Sequence, residues 1–274
     1  MIISQEEILA ILLTIPLSTI KMQMGRIRLK FTRQELAKLL FMLNEAQSRK
    51  VTFKHIWHKN KEDKTYQNLC KNFDVVAKLM PLIFSKFNEM HKIKASRMYN
   101  VLDTTLIPTK RSQSITDKDF KVGDVTIRNV EKIRHYISGL KLFALMNRER
   151  FIFKAAALNI NTPDIDAVKN PFYYSIPKGI LLADKAFNSQ MVRDRLKGYG
   201  TRLISPFKAN QKQQLTDKEK EFYKRRWEIE SAFQKLKAEY GNFKLGASSR
   251  YTLIKQKAAL LLAALNYNAA LIKR

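Results

Sequence analysis

The stretch Tyr99-Asn-Val-Leu-Asp-Thr-Thr-Leu-Ile-Pro108 predicts a buried strand that contains one acidic residue. Its β-branched and apolar residues continue up to a proline, which is typical of a strand that is buried on both faces. An ionised carboxylate inside such a strand is costly unless it is paired or binds a metal ion. Asp103 is therefore the first candidate for a functional residue.

A second aspartate follows a short apolar strand in Gly179-Ile-Leu-Leu-Ala-Asp-Lys-Ala-Phe187. Asp184 ends this strand. Asn188 or Ser189 is then the predicted N-cap of a helix that Gly198 is expected to end. An aspartate at a strand end is often only a turn former or a helix cap. In open α/β sheets, however, functional sites form outside the carboxyl ends of the strands.

The third acidic position lies in Tyr223-Lys-Arg-Arg-Trp-Glu-Ile-Glu-Ser-Ala-Phe-Gln-Lys-Leu-Lys237, on a helix predicted from about residue 216 to 240. At about 100° per residue, four polar side chains fall within about 60° of one helix face. These are Tyr223, Arg226, Glu230 and Lys237. Such a stripe is either a solvated face with an ordinary Arg226–Glu230 ion pair or a site that handles phosphate. Glu228 points about 160° away from it, to solvent or to a neighbouring element.

Two aspartates and one glutamate offer oxygen ligands of the kind that Mg²⁺ prefers. The spacing Tyr-x2-Arg-x3-Glu-x6-Lys also resembles the signature of insertion-sequence transposases of the DDE type, in which the glutamate is the last metal-binding carboxylate. Further segments between about residues 97 and 272 are similar to the second, third and fifth strands and to the C-terminal helix of this family. They are 135–147, which contains Lys141 in a Gly-x-Lys-Leu…Asn pattern, 150–159, 200–206 and 252–272.

This resemblance implies an α/β fold of the ribonuclease H-like type, with a mixed sheet flanked by helices on both faces. The elements predicted from the sequence itself agree with this fold. Five extended segments are expected at 101–107, 137–146, 150–158, 180–184 and 201–205. A helical N-terminal region over 1–95, followed by the catalytic domain over 96–274, is the predicted organisation.

The resemblance also implies the chemistry. Asp103, Asp184 and Glu230 would be the catalytic residues and would bind Mg²⁺, with Mn²⁺ as a substitute. They would activate water against the phosphodiester at an element end, and the freed 3′-hydroxyl would attack target DNA. Tyr223, Arg226, Lys237 and Lys141 would contact DNA. The expected partner is double-stranded DNA, both element ends and target, bound by a homodimer that holds two ends together.

Charge favours a polyanionic partner. The chain has 51 Lys+Arg and 24 Asp+Glu, a formal net charge of +27. Residues 1–100, 101–200 and 201–274 contribute +10, +7 and +10, so the charge is not confined to a tail. Such a field attracts nucleic acid. A ribosomal or other RNA-coating protein can be equally basic, but the 45% apolar content and the absence of a low-complexity basic arm favour a chain with a real core.

The first 95 residues are predicted to be helical. Residues 8–13 are apolar, Thr32-Arg-Gln-Glu35 is a capping box, and 72–90 is an amphipathic helix that Pro81 is expected to interrupt. Two interpretations remain: a helix-turn-helix reader of the element ends, or a helical region that serves only packing or dimerisation. Nothing in the sequence identifies a recognition helix.

Other classes of site have little support. His55 and His58 have no second ligand pair nearby for zinc, and Cys70 is the only cysteine. A phosphate-cradling glycine loop is missing, so no nucleotide cofactor is expected. The apolar stretches 8–20 and 258–272 are shorter than the ~20 residues of a membrane span. The expected location is cytoplasmic and nucleoid-associated.

Two other functions would fit the same features. One is a non-catalytic DNA-binding remnant of a transposase. The other is a ribonuclease H-like nuclease that cuts DNA without strand transfer. The sequence does not separate cutting from joining.

Overall fold

The computed structural model of the chain describes residues 2–24, 32–48, 56, 77–108, 139–159, 162–169, 178–207, 214–240 and 253–273. His55, His58 and Cys70 lie outside these ranges. So does the first part of the amphipathic helix that was expected to begin at residue 72.

Five strands form one mixed sheet in the order β3-β2-β1-β4-β5. They are β1 Tyr99–Pro108, β2 Gly139–Asn147, β3 Ile152–Asn159, β4 Gly179–Ala183 and β5 Thr201–Ile204. The pairs β1–β2 and β2–β3 are antiparallel, whereas β1–β4 and β4–β5 are parallel. All five lie at the extended segments expected from the sequence, and the ribonuclease H-like mixed sheet is confirmed.

Helices precede, connect and follow the strands. They are α1 Gln5–Thr14, α2 Leu17–Met24, α3 Arg33–Ser48, α4 Met80–Met90, α5 Asp164–Lys169, α6 Gln190–Gly198, α7 Asp217–Lys224, α8 Trp227–Tyr240 and α9 Leu253–Ile272, with a short 3₁₀ helix Lys185–Phe187 after β4. The helical character of the N-terminal region is thus confirmed over its described residues. Within those ranges, none of the helices combines the length and the hydrophobicity of a membrane-spanning segment.

The sheet separates two cores because successive side chains of a strand point to opposite faces. In β2, Leu142 and Ala144 lie in the larger core, which also contains buried residues of α1, α3, α4, α8 and α9. Phe143 and Leu145 lie in the smaller core, which α6 covers. Helices therefore flank both faces, as expected. The larger core runs without interruption from the N-terminal helices to the sheet, and the boundary placed at residues 95/96 stays a prediction.

Two buried asparagines of α9 form hydrogen bonds with segments that are distant in sequence. Asn266 accepts hydrogen bonds from the Ile3 backbone N–H and from Asn44 of α3, both at 3.1 Å. Asn268 accepts from the Ile152 N–H at 2.9 Å and donates to Asn88 of α4 at 3.0 Å. Because buried polar groups are costly without partners, these contacts fix how α9 lies against the N-terminal helices and β3.

We expect Asn268→Leu to lower the free energy of unfolding by about 2–4 kcal/mol, because it leaves the Ile152 N–H and the Asn88 side-chain oxygen Oδ1 buried without this partner. Urea unfolding followed by circular dichroism measures the change. The control is Lys273→Gln, which breaks only the half-exposed ion pair with Glu7 at 3.0 Å and should cost less than about 1 kcal/mol. Equal losses in both variants would contradict the role of Asn268.

Local details at the element boundaries follow the sequence prediction closely. Pro81 stands in the first turn of α4, where its missing N–H is not needed, and a turn at residues 78–79 separates α4 from the helical residue 77, so the expected interruption lies just before the proline. Ser189 caps α6 as one of the two expected residues, the helix ends at Gly198, and the left-handed residue after it is Gly200 at φ 76°. Gly179 opens β4 at φ 104°, where an added Cβ would lie 2.9 Å from the Arg97 carbonyl oxygen.

The long helix expected over residues 216–240 is two helices, α7 and α8. Between them the N–H groups of Glu228 and Ile229 donate to the carbonyl oxygens three residues earlier, those of Arg225 and Arg226. This tighter hydrogen-bonding pattern replaces the α-helical one. The break lies directly beside Arg226.

Candidate active site

The parallel pairing of β1 and β4 brings two aspartates next to each other. The last aligned pair of these strands is Leu102 with Ala183, so Asp103 and Asp184 are the next residues of two neighbouring strands. Neighbouring strands lie about 4.8 Å apart. β1 continues to Pro108 beyond this point, so Asp103 stands in the middle of its strand and not at its end.

Asp103 faces the larger core. Tyr99, Val101 and Ile107 of β1 lie in that core, and Asp103 shares their alternation along the strand. Its side chain is buried, with 6% of the residue exposed. The carboxylate accepts a hydrogen bond from its neighbour's backbone, the Thr104 N–H, at 2.8 Å. A buried carboxylate is costly unless a positive charge lies beside it, and the Arg226 side chain provides that charge.

The Arg226 guanidinium joins two of the three predicted carboxylates. Its Nη2 donates to Asp103 Oδ2 at 2.7 Å, and its Nη1 donates to Glu230 Oε1 at 2.6 Å. Arg226 lies in the turn between α7 and α8, and Glu230 lies in the first turn of α8. One arginine therefore connects the centre of the sheet with the helix that carries the glutamate.

The pKa of Asp103 reflects this environment. Burial raises the pKa of its carboxyl group to about 6, although Arg226 and the Thr104 N–H act in the opposite direction. The charge of Asp184 raises it further, in agreement with the proximity of the two aspartates. A buried carboxylate with a raised pKa is the group that gains most from a bound cation.

Asp184 is a helix cap, one of the two roles considered for it from the sequence. It follows β4 directly and is the N-cap of the 3₁₀ helix, where it accepts from the Lys185 N–H at 2.7 Å. Its backbone carbonyl accepts from the Ser205 hydroxyl at 2.8 Å, which ties the end of β4 to the segment after β5. The cap fixes the Asp184 backbone beside Asp103.

Tyr223 and Lys237 lie on the same side of the sheet. Burial raises the pKa of the Tyr223 hydroxyl, which also lies in the fields of Arg226, Asp184 and Asp103. Partial burial lowers the pKa of the Lys237 ammonium group, and the charge of Asp103 opposes this. Tyr223 is thus within electrostatic range of both aspartates, and Lys237 is within range of Asp103.

Glu228 and Glu230 face different partners. Glu228 is buried, and its two carboxylate oxygens accept from the Tyr99 hydroxyl at 3.0 and 3.2 Å. Arg225 lies 3.7 Å from the same carboxylate. Glu228 therefore contacts a neighbouring element, one of the two directions expected for it. Sequence reasoning missed Tyr99 as its partner, although Tyr99 and Asp103 share a strand face at a spacing of four residues.

Lys141 does not join this group. Its ammonium group donates to the Thr162 carbonyl oxygen and to Asp164, both at 2.7 Å, and only 12% of its side chain is exposed. It fastens β2 to the start of α5. Its predicted contact with DNA stays a prediction that this geometry does not support.

The acidic side chains suit a divalent ion in their chemistry but do not form a finished cage. Among the described residues, no three acidic, histidine or cysteine side chains lie close enough together to hold a metal ion. Asp103 and Glu230 instead share Arg226, so the site is built around a positive charge. Their carboxylate oxygens are nevertheless ligands of the kind that Mg²⁺ and Mn²⁺ accept.

The mixed five-stranded sheet, with helices on both faces, places the chain in the ribonuclease H-like fold class. The family model described as a transposase DDE domain matches residues 97–269. This is more than half of the chain, which therefore belongs to the DDE transposase family and is a transposase. Members of this family use divalent metal ions.

Two further comparisons add no functional argument. Among solved structures, the chain is similar to a piggyBac transposase in a synaptic complex with hairpin DNA, studied by cryo-electron microscopy. The TM-score is 0.49 at 9% identity, covering 97% of this chain and 73% of that one. None of the curated proteins compared with the chain matches it.

Proposed function

We propose that this transposase cleaves the DNA ends of an insertion element with Mg²⁺ bound by Asp103, Asp184 and Glu230, and then joins the freed ends to target DNA. The observation that supports it best is the position of Asp103. It is a buried carboxylate beside Asp184 in the sheet, and Arg226 links it to Glu230. Mn²⁺ is the expected substitute because it accepts the same oxygen ligands.

Arg226 has two successive tasks in this proposal. Without metal and DNA it neutralises Asp103 and Glu230, two acidic groups that would otherwise repel each other. In the complex the guanidinium leaves them and binds an oxygen of the DNA backbone, a partner that suits its forked donors. Tyr223 and Lys237 complete the backbone contact beside the scissile phosphate. The buried Nε of Arg226 has no hydrogen-bond partner and supplies a further donor.

The reaction needs no covalent bond to the protein. In the first step a water oxygen attacks the phosphorus at the element end, and the bond to the 3′-oxygen breaks, which leaves a 3′-hydroxyl. In the second step that hydroxyl attacks a target phosphodiester and displaces its 3′-oxygen. When bound, divalent ions supply charge stabilisation at the phosphate and activation of the attacking oxygen. The protein contributes positioning, through the rigid pairing of β1 with β4 and the attachment of α8 to β1.

The proposed partner is double-stranded DNA, bound by a homodimer because two ends must be held together. No nucleotide cofactor takes part in either step. The location proposed for this activity is the cytoplasm, on the nucleoid. The helical segment before residue 96 remains the candidate for recognition of the ends, with packing or dimerisation as the other interpretation.

The test uses DNA that flanks the gene. Inverted repeats bordered by short direct duplications would define the two ends of the insertion element. DNA duplexes that carry one of these ends are then incubated with the full chain. We expect strand-specific cuts with Mg²⁺, none with EDTA, and joined products when a plasmid target is added. Cuts without joined products would favour a nuclease, and binding without cuts would favour a non-catalytic remnant.

Salt dependence tests the DNA-binding part of the proposal. If the surface of this +27 chain contacts six or more phosphates, non-specific duplex affinity should fall by about 10³-fold or more between 50 and 200 mM salt. Fluorescence anisotropy in EDTA measures the affinity without cleavage. An affinity that does not change with salt would show that the charge is not used for DNA.

A further inference from the structure

Three polar side chains form a hydrogen-bonded cluster next to the Asp184 backbone. The Ser205 hydroxyl donates to the Asp184 carbonyl oxygen at 2.8 Å. The Ser205 carbonyl oxygen accepts from Asn188 Nδ2 at 3.2 Å and from Arg193 Nη2 at 3.3 Å. Arg193 Nε in turn donates to Asn188 Oδ1 at 2.8 Å. We call Asn188, Arg193 and Ser205 the Ser205 clamp.

The clamp stands where the pairing of β4 with β5 ends. The last aligned pair of these strands is Leu182 with Ile204, so the same register places Pro206 level with Asp184. Proline has no N–H and cannot donate to a neighbouring strand. The Ser205 hydroxyl supplies a donor to the Asp184 carbonyl oxygen at this point. A side chain therefore continues the connection between the two strands where the backbone lacks a donor.

The clamp holds both ends of the segment from Asp184 to Asn188. At its start, the Asp184 carbonyl oxygen accepts from the Ser205 hydroxyl and from the Phe187 N–H, the latter at 3.0 Å. At its end, the Asn188 N–H donates to the Lys185 carbonyl oxygen at 3.1 Å, and the Asn188 side chain donates to Ser205. The Asp184 carboxylate accepts from the Lys185 N–H, so its direction follows the backbone of this segment.

Burial and additional contacts make the clamp rigid. Asn188 and Ser205 are only 1% and 0% exposed, so water does not compete for their hydrogen bonds. Arg193 also donates to the Leu203 carbonyl oxygen at 3.3 Å and lies over the Phe207 ring, with Cζ 4.5 Å from the ring centroid. A guanidinium group with this many partners inside the protein has a structural task and is not a cation left over for a ligand.

We propose that the Ser205 clamp positions Asp184 for the reaction by fixing the backbone that directs its carboxylate. A catalytic constellation must be held within about 0.5 Å of its working geometry. Asp103 receives this support from within β1, whereas Asp184 lies after the last residue of β4 and needs it from another segment. The clamp residues act only through Asp184 and are positioning residues. The inference rests on the proposed function and adds to it the residues that support one of its carboxylates.

Ser205→Ala is the main test, since it removes the hydroxyl but leaves the buried space almost unchanged. We expect the single-turnover rate of DNA cleavage to fall by about 10–100-fold, the range for residues that orient metal ligands. The Mn²⁺ concentration that gives the half-maximal rate should rise by at least about tenfold, while DNA affinity in EDTA stays the same. A smaller folded fraction would reduce the amount of DNA cut but would not raise the Mn²⁺ requirement.

Hydrogen exchange measured by mass spectrometry tests the clamp without metal or DNA. In Ser205→Ala, the amides of residues 185–188 should exchange about tenfold faster than in the wild type. The matched control is Ser189→Ala, which removes the α6 cap on the Val192 N–H and keeps the described hydrogen bonds of the clamp. The control should exchange faster only at the start of α6 and should leave the Mn²⁺ requirement unchanged.

Asn188→Asp is a second variant with the same expected shifts. It keeps the shape and the bond from Arg193 but turns an acceptor towards the carbonyl oxygens of Ser205 and Pro206. Unchanged exchange at residues 185–188 would overturn the proposal, as would faster exchange with an unchanged Mn²⁺ requirement or equal shifts in Ser189→Ala. A wild-type protein that does not cut DNA would overturn the proposed function as well. A wild type that cuts no faster than Ser205→Ala would overturn only the positioning role.

Discussion

Asp103→Asn abolishes metal-dependent DNA cleavage, with an expected loss of at least about 10³-fold, or about 4 kcal/mol of transition-state stabilisation. The amide has the shape of the carboxylate but lacks the charge that a divalent ion requires, and the buried position offers no solvent to replace it. DNA affinity in EDTA should stay within a few fold, because the phosphate contacts come from other residues. Single-turnover cleavage of an end-containing duplex measures the first effect, and anisotropy measures the second.

The control for this variant is Asp194→Asn. Asp194 is an exposed aspartate of α6 that accepts a hydrogen bond from Gln190 at 2.8 Å. Like Asp103→Asn, the Asp194→Asn substitution removes one negative charge, but it does so outside the proposed site and should leave the cleavage rate unchanged. Cleavage by Asp103→Asn at the wild-type rate would remove Asp103 from the catalytic group. A parallel loss of folding, detected by circular dichroism, would mean that the Asp103–Arg226 contact is structural.

Glu230→Gln should lower the rate of DNA cleavage by about as much as Asp103→Asn does. Glu228→Gln should keep the cleavage rate within a few fold of the wild type. A neutral amide is a poor ligand for Mg²⁺, so the first change removes one of the proposed ligands. Glu230 is half-exposed and contacts Arg226, so its loss should change stability little. Glu228 is buried against Tyr99, and its change should lower the free energy of unfolding by about 1–2 kcal/mol.

The two variants form a matched pair, since the same substitution is made two residues apart on one helix. Cleavage is measured below the melting temperature of both proteins, with urea unfolding as the second measurement. Tyr99→Phe removes the hydroxyl partner of Glu228 and should reproduce the stability loss of Glu228→Gln. An inactive Glu228→Gln beside an active Glu230→Gln would overturn the assignment of this helix.

Local sequence determined the elements of this protein. The apolar run that contains Asp103 forms β1, and the run before Asp184 forms β4, because nearly uninterrupted apolar segments are stable only inside a covered sheet. Thr32 and Glu35 form the expected capping box, with the Thr32 N–H donating to Glu35 at 2.8 Å. Ser189 caps α6 as one of the two expected residues. These features depend on neighbours in the sequence, so a local pattern was enough to predict them.

The relative positions of the acidic residues became evident only in the folded chain. The adjacency of Asp103 and Asp184 follows from the parallel register of two strands about 80 residues apart, which no local pattern specifies. The order of the three acids suggested a common site, and the helix spacing placed Arg226 beside Glu230. Neither indicated that Arg226 would also reach Asp103 across 123 positions of sequence.

The break between α7 and α8 was likewise beyond the sequence, since the residues around it are not helix breakers. Directly after the break, Glu228 of α8 accepts from the Tyr99 hydroxyl of β1, a contact between residues 129 positions apart. The contact of Arg150 with Trp227 has the same origin, because the β2–β3 turn and the start of α8 meet only in the folded chain. The sequence alone indicated where the five strands and the caps of α3 and α6 lie. Long-range pairing determined which charges meet, since the burial of Asp103 requires a partner from elsewhere in the chain.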